Sequence, residues 1–265
     1  MATISACLVV WNGEKEIRSC LENIKKVVDD IVIVHDGPCR DRTLEICRAY
    51  TKKVYVRPAV GEAEPHRAFG FSKASGDWIL WIDQDERLSK PLRQNIRKLV
   101  QREDADAYSF LWAVKYGNKM LTKGYFSKMP KTVLFRKKAM LLFRGLPNEM
   151  IRVRGRVVHT NYRLLHYPEG ERHTMRVFFK NTLRIVRIHA DQMLKKNLVT
   201  KQAPWYLIKA FLWFFLYLCY YFGLHFTFLT KADISITIQN GLYNFYLYWY
   251  IFWGKLGLWK LKTAK

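Results

Sequence analysis

The stretch WILWIDQDERL, residues 78–88, decides how this chain reads. Trp78, Ile79, Leu80, Trp81 and Ile82 form an unbroken apolar run, the pattern of a strand covered on both faces. The strand runs into Asp83, Gln84, Asp85 and Glu86. Side chains alternate along an extended chain, so Asp83 and Asp85 are expected to point the same way. Two carboxylates at a strand end can hold one hard divalent cation. Mg2+ and Mn2+ take oxygen ligands and commonly share them with substrate phosphates. Such an ion would neutralise charge building on a diphosphate leaving group. The plainer reading of the same residues is a solvated acidic turn, with Asp85 or Glu86 capping the helix that follows.

Working back toward the N-terminus, strand and helix alternate. Ile4–Val10, residues 30–35 (DIVIVH) and residues 53–57 read as three further strands. Helices are expected at residues 14–28, where Ile17, Leu21, Ile24 and Val28 recur at helical spacing, at residues 41–50 with Asp41 as N-cap, and at residues 65–75 with Gly76 as the stop. This order predicts an α/β fold, a mostly parallel sheet with helices on both faces. Ligands on such sheets bind beyond the carboxyl ends of the strands. Asn12, Asp36 and Asp83 each follow a strand, which places them on that one edge. Beyond Leu88 a helix is expected at residues 90–103, then strands at residues 107–114, 132–136 and 152–159.

The 265 residues carry 45 Lys and Arg against 22 Asp and Glu, a formal net charge of +23. Such an excess implies anionic company: nucleic acid, a phosphate-rich ligand or an anionic membrane surface. The aromatic residues crowd into the last quarter of the chain, which favours a membrane. A basic nucleic-acid- or membrane-binding protein without catalysis is the rival that charge alone supports. No RNP-like strand, helix-turn-helix or zinc pattern accompanies it, so no nucleic-acid partner is expected. The five cysteines are odd in number and form no CxxC pair, which argues against a disulfide framework or a zinc site and fits a reducing compartment. No signal peptide is visible, so the catalytic part is expected to face the cytoplasm.

Residues 171–197 read as an amphipathic helix, with Arg172, Arg176, Lys180, Arg184 and Arg187 on one side and Met175, Phe178, Phe179, Val186 and Met193 on the other. Residues 210–230 carry no formal charge and are long enough to span a bilayer, which needs ~20 apolar residues. Residues 234–254 also lack formal charge, but Ser235, Gln239, Asn240 and Asn244 interleave with Tyr and Trp, a mixture suited to the headgroup interface. Two helices lying in or dipping into one leaflet are expected, with a spanning hairpin as the alternative. The organisation expected is a catalytic domain over residues 1–170, a basic amphipathic helix over 171–200 and membrane-associated helices over 201–265.

The order of motifs resembles family 2 glycosyltransferases with the GT-A, Rossmann-like fold. Those enzymes open with a strand and an N-x-E turn, here Asn12-Gly13-Glu14. A strand and a D-D-G-S-x-D-x-T segment follow, here His35-Asp36-Gly37-Pro38-Cys39-Arg40-Asp41-Arg42-Thr43, with His35 in place of the first Asp and one extra residue in the loop. An Arg-bearing helix (Arg67) and a G-D-hydrophobic strand (Gly76-Asp77-Trp78) precede D-x-D, here Asp83-Gln84-Asp85. The resemblance covers residues 3–90 well and 130–170 more loosely. The bacterial lipopolysaccharide-core glucosyltransferase branch is the most similar, through the D-x-D-E-R of Asp83–Arg87 and an aromatic, amphipathic tail.

The resemblance implies a metal-dependent hexosyltransferase that uses a nucleotide-sugar donor, a UDP-sugar first among candidates, with Mg2+ or Mn2+. It implies that Asp36 accepts a hydrogen bond from the nucleobase, that Val10, Trp11 and Glu14 line the nucleoside pocket, and that Arg67 lies near base or diphosphate. Asp83 would touch ribose or metal, and Asp85 would hold the metal. A late His, here His166, completes the metal or diphosphate site in several such enzymes; a hydrogen-bonded core His is the plainer alternative. An inverting transfer also needs a base near the acceptor hydroxyl. Glu149, the sole acid in the basic stretch 131–163, is the candidate, with a structural ion pair as its alternative. Arg136 and Arg144 could meet phosphate, or could be surface charge. The acceptor expected is a membrane glycolipid or a lipopolysaccharide core. A polyprenyl phosphate, which needs no separate base, defines the alternative enzyme class.

Overall fold

Strand β1 (Ile4–Val10) is the spine of the molecule's first unit: six of its seven residues are buried, as a strand flanked on both sides by neighbours and covered on both faces requires. It pairs in parallel with β2 (Asp30–Asp36) on one side and with β4 (Trp78–Trp81) on the other, and β2 pairs in parallel with β3 (Val54–Arg57). Helices α1 (Ile17–Ile24), α2 (Thr43–Arg48) and α3 (Glu64–Lys73) connect these strands. The remaining elements of this unit are β5 (Glu86–Leu88), α4 (Lys90–Val100), β6 (Ala107–Tyr116), β7 (Lys119–Leu121), β8 (Pro130–Arg136) and β9 (Val157–His166). The computed structural model describes residues 1–61, 63–116, 118–122, 130–143, 149–168, 176, 178–225 and 231–259.

The nine strands of the described residues form one sheet in the order β3-β2-β1-β4-β8-β6-β9-β5, with β7 paired to β6. The chain builds outward from β1 to β3 and then returns to β4 on the other side of β1. Ligands of open α/β sheets bind in the crevice at such a reversal, here the carboxyl ends of β1 and β4. Beyond β4 the expected parallel order fails. β8 runs antiparallel to β4 and to β6, β5 antiparallel to β9, and four ladders of the described residues are parallel against four antiparallel. The sheet is therefore mixed. Its second half lacks the regular strand-helix alternation that imposes parallel crossovers.

The last strand also differs from expectation. It starts at Val157 rather than residue 152 and continues to His166. Its register is set by two distant partners, β6 through Ala107↔Val157 to Val114↔His166, and β5 through Glu86↔His166. Two glycines serve close approaches in this unit. Gly37 has φ +76°, and a Cβ there would come within 2.7 Å of the Ala59 Cβ. A Cβ on Gly76 would lie 2.7 Å from the Ser5 backbone nitrogen, where the turn passes over β1.

A partly buried network ties β1, β2 and the turn before β4. Asp30 accepts hydrogen bonds from Ser5 Oγ (2.8 Å), Lys53 Nζ (2.9 Å) and the Ser75 backbone and hydroxyl (3.0 and 2.8 Å). Burial opposes its ionisation, but Lys53 and the serine donors outweigh it and bring its carboxyl down to about 2. A folded value below the unfolded ~3.9 means that this stabilisation is complete above about pH 4 and fades as pH falls toward 2. Acid titration followed by circular dichroism is expected to show Asp30→Asn losing less stability than wild type over that window. An equal loss in both proteins would contradict the assignment.

The chain divides by contact into Met1–Glu169 and Gly170–Lys265. Within the second unit a π-helical turn, Phe178–Thr182, leads into α5 (Leu183–Lys195), followed by α6 (Ala203–His225) and α7 (Lys231–Lys255). Residues 171–175, at the start of the expected amphipathic helix, lie outside the described residues, as do residues 226–230 and 260–265. Val186, Ala190, Val199, Tyr206, Leu247 and Ile251 form this unit's core. Arg187, expected on a basic face, donates to the Tyr250 hydroxyl at 2.9 Å. Helix α6 leaves Trp205, Ile208, Phe211, Leu212, Trp213, Phe215 and Leu216 exposed. Among the described residues no helix is long and apolar enough to cross a membrane.

Candidate active site

The crevice edge is assembled from the ends of β1, β2 and β4. Val10, the last residue of β1, is buried, while Trp11 directs a side chain that is 62 % exposed into solvent. The Trp11 backbone N–H donates to Gln84 Oε1 (3.0 Å), which ties the β1 end to the loop after β4. Asn12 takes φ +40°, a conformation Asn tolerates better than most residues. Its side-chain oxygen accepts from the Arg40 N–H (2.9 Å). Glu14 accepts from the Arg42 N–H (3.0 Å) and gives its own N–H to Asp41 (3.1 Å). Asp41 also accepts from the Thr43 N–H (2.9 Å), but the helix begins at Thr43 with Arg42 at the N-cap, so Asp41 lies two residues ahead of the start and is not the cap expected of it. These contacts dock the N-x-E turn against the loop after β2.

Asp36 is buried at the end of β2. It accepts from the backbone N–H groups of Val60 (2.7 Å) and Gly61 (2.9 Å), and its Oδ1 lies 2.8 Å from His66 Nε2. A carboxylate offers about four lone-pair sites, so three contacts leave room for one more donor. His35, which stands where the resembled family has a first Asp, is fully buried. Its Nδ1 lies 2.8 Å from the Gly37 carbonyl and its Nε2 takes the Asn12 N–H at 3.5 Å. An imidazole donating at Nδ1 and accepting at Nε2 satisfies both contacts.

Asp83 and Asp85 have different surroundings. Asp83 Oδ1 accepts from Arg67 Nη2 (2.8 Å) and Trp81 Nε1 (3.3 Å), and its Oδ2 accepts from Lys131 Nζ (3.1 Å). Burial favours the protonated acid here, but the Arg67 and Lys131 cations outweigh it and hold the carboxyl far below the usual carboxylate range. Arg67 also meets Glu64 (3.0 Å) and lies 4.1 Å over the Trp81 ring. Asp85 Oδ2 lies 3.2 Å from His166 Nε2, and the Asp85 carbonyl accepts from the Tyr167 N–H (2.7 Å). The pairing Glu86↔His166 between β5 and β9 brings these residues together across 81 positions of sequence. The His166 ring stacks on Trp112, with centroids 5.3 Å apart and planes 10° apart.

A carboxylate oxygen facing an imidazole nitrogen is a donor set suited to Mn2+ or Mg2+, which complete their shells with water and substrate phosphates. Three buried atoms at this edge, His66 Nδ1, Arg67 Nε and His166 Nδ1, have no hydrogen-bond partner among the described residues. The structure thus unites Asp85 with His166, while Asp83 is engaged by two cations. Among the described residues no group of three or more His, Cys, Asp or Glu side chains is arranged to hold a metal. Glu149 is half-buried in irregular backbone just before the core residue Ile151. Arg144 lies outside the described residues. The Arg136 guanidinium donates to the carbonyls of Ala105 (3.0 Å) and Arg102 (2.9 Å) and lies 4.7 Å over the Trp78 ring, a structural role rather than a phosphate contact.

Two residues of this edge, Trp112 and Lys131, have no role in the sequence analysis, and a third, Glu86, is there only a possible helix cap. Glu86 is fully buried and accepts from Lys131 Nζ (2.7 Å), Trp112 Nε1 (2.9 Å) and the Asp83 N–H (3.0 Å). One signal for Lys131 was available, a cation at an inward position of β8, where Lys131, Val133 and Phe135 alternate into the interior.

A Rossmann-like half-sheet with acids, cations and an exposed Trp gathered at the carboxyl edge of its reversal point defines an open, doubly wound class of α/β protein. More specifically, the chain belongs to glycosyl transferase family 2, whose model matches residues 5–156. It is 33 % identical over 108 residues to an uncharacterized glycosyltransferase of Rickettsia felis, a match covering 41 % of this chain and 38 % of that protein. It is 28 % identical over 147 residues to the lipopolysaccharide core biosynthesis glycosyltransferase LpsC of Rhizobium meliloti, covering 54 % of this chain and 51 % of that one. The chain thus spans about half or less of the curated relatives it matches. Residues 1–349 of S. aureus TarS align in structure with TM-score 0.49 at 16 % identity, covering 92 % of this chain and 80 % of that one.

Proposed function

We propose that this chain is an inverting, metal-dependent glycosyltransferase that moves a hexose from a UDP-sugar to a cell-envelope glycolipid or lipopolysaccharide-core acceptor at the cytoplasmic face of a membrane. The observation that carries the reading is the convergence of Asp85 and His166, 3.2 Å apart, beside the crevice of a family 2 sheet. Val10, Trp11 and Glu14 line the nucleoside side, and Asp36 offers its remaining acceptor site to the base. Arg67, with one buried N–H still to satisfy, faces base or diphosphate, and Asp83 holds Arg67 and meets the ribose. Asp85 and His166 would hold Mg2+ or Mn2+, which supplies charge neutralisation at the departing diphosphate. Glu149 takes the proton of the acceptor hydroxyl as that oxygen bonds to the anomeric carbon and the carbon–phosphate oxygen bond breaks. The likeness to LpsC supports the choice of acceptor.

The first test is donor binding by the full chain across UDP-, GDP- and dTDP-sugars, with Mn2+ and with EDTA. Metal-dependent binding of one donor is expected; binding of none would overturn the reading. Glu149→Gln is then expected to keep donor affinity and lower transfer to a hydroxyl acceptor by about 10²–10⁴-fold, the usual worth of a general base. If Glu149→Gln instead turns over normally on a polyprenyl phosphate and wild type ignores glycolipid, the enzyme is a polyprenyl-phosphate sugar synthase.

The membrane part of the proposal is supported by the apolar side chains that α6 leaves exposed and by the net charge of +23. An apolar surface of this kind on a strongly basic chain favours the headgroup region of anionic lipid. Co-flotation with vesicles containing phosphatidylglycerol, weaker with neutral vesicles, is expected. Absence from both floated fractions would contradict the localisation.

A further inference from the structure

Lys131 is a buried cation to which the proposed chemistry assigns nothing. Only 8 % of it is exposed. Its ammonium lies 4.8 Å over the Trp81 ring and 5.0 Å over the Trp112 ring, so two indoles enclose it. It bonds two carboxylates at once, Asp83 Oδ2 at 3.1 Å and Glu86 Oε1 at 2.7 Å. Glu86 in turn accepts from the indole N–H of Trp112 (2.9 Å) and from the Asp83 backbone N–H (3.0 Å). The Trp112 ring stacks on His166, whose Nε2 faces Asp85. One side chain therefore touches Asp83 directly and reaches the Asp85–His166 pair through Glu86 and Trp112.

We infer that Lys131 is a positioning residue of the donor site, a buried cation that aims Asp83 at the nucleotide and braces the Trp112–His166 stack behind Asp85. The inference rests on the transferase reading above. Its physical basis is the charge arrangement. Without the ammonium, Asp83 and Glu86 become two close anions inside the sheet, and each must turn toward solvent or toward another cation. Arg67 then remains on Asp83 Oδ1 alone, and Oδ2 loses its direction. Mere stabilisation of the fold is the competing role. The two roles separate when stability and binding are read on the same variants.

The experiment is isothermal titration of the full chain with UDP at saturating Mn2+, beside thermal melting, for wild type, Lys131→Met and the double variant Lys131→Met/Glu86→Gln. Lys131→Met is expected to melt earlier and to bind UDP at least tenfold more weakly. The double variant removes the stranded Glu86 charge, so its melting temperature should return most of the way to wild type. Its UDP affinity should stay low, because Asp83 still lacks its second cation. Recovery of affinity together with melting temperature would overturn the inference and leave Lys131 a structural residue, as would UDP binding by Lys131→Met within twofold of wild type. Wild-type protein that binds none of UDP, GDP and dTDP with Mn2+ would instead remove the transferase reading, and this inference with it.

Discussion

Asp85→Ala is expected to lower transfer by at least about 10²–10³-fold, the scale on which removal of one group that stabilises leaving-group charge acts. The fold should survive. Asp85 contributes its carbonyl to the Tyr167 N–H through backbone that alanine retains, and its carboxylate faces His166 at 3.2 Å. Loss of that contact removes one hydrogen bond to a charged group, worth about 1.5–3 kcal/mol. The check is steady-state transfer with a UDP-sugar over a Mn2+ series, beside a thermal melt. Near-wild-type turnover with an unchanged response to Mn2+ would contradict the assignment of Asp85. Loss of turnover together with collapse of the melt would point to a structural role instead. Asp83→Ala should differ: it leaves Arg67 and Lys131 without their shared carboxylate, so both stability and nucleotide affinity should fall.

Glu86→Ala is expected to carry the largest stability cost at this site, about 3–5 kcal/mol, because it strands a buried partner charge. Glu86 is fully buried, and Lys131, Trp112 and the Asp83 N–H all donate to it. Alanine supplies no acceptor for any of the three. At roughly 2–4 °C per kcal/mol for a domain of this size, the melting temperature should fall by about 10 °C. Glu86→Gln keeps an acceptor oxygen and should fall by less. A melting temperature within about two degrees of wild type for Glu86→Ala would show that the cluster relaxes or admits water at little cost.

These predictions concern residues that differ in how visible they were before folding. Asp83 and Asp85 stood out at the end of an apolar strand, and Asp36 and Asn12 stood after two others, because the carboxyl edge of a parallel sheet follows from strand-helix alternation alone. Alternation of side chains makes both Asp83 and Asp85 candidate metal ligands, and the family resemblance gives Asp83 ribose or metal and Asp85 the metal. In the folded chain the two acids serve different partners: Arg67 from α3 and Lys131 from β8 occupy both oxygens of Asp83, whereas Asp85 faces His166. Lys131 is inconspicuous among 45 basic residues: its inward position in β8 is a weak local mark, and the acids that it meets lie more than forty residues away. Arg136 shows the converse: a phosphate contact was conceivable from residue type, and the backbone carbonyls around it use the guanidinium instead.

The sequence by itself determined the parallel half of the sheet, the helices between its strands and the edge on which the acids lie. Those features rest on local periodicity, on apolar runs closed by turn residues, and on the motif order that places the chain in its family. Tertiary structure alone decided the mixed second half of the sheet, the extension of β9 to His166, and the cluster of Glu86, Trp112 and Lys131 beneath the aspartates. Each of those depends on pairing between segments tens of residues apart, such as Glu86↔His166 and Trp112↔Leu164. A slip of one residue in such a pairing would turn every side chain of the strand to the opposite face. That choice is made by the total area buried and the buried charges satisfied once all the strands are in place, and no local pattern in the chain encodes it.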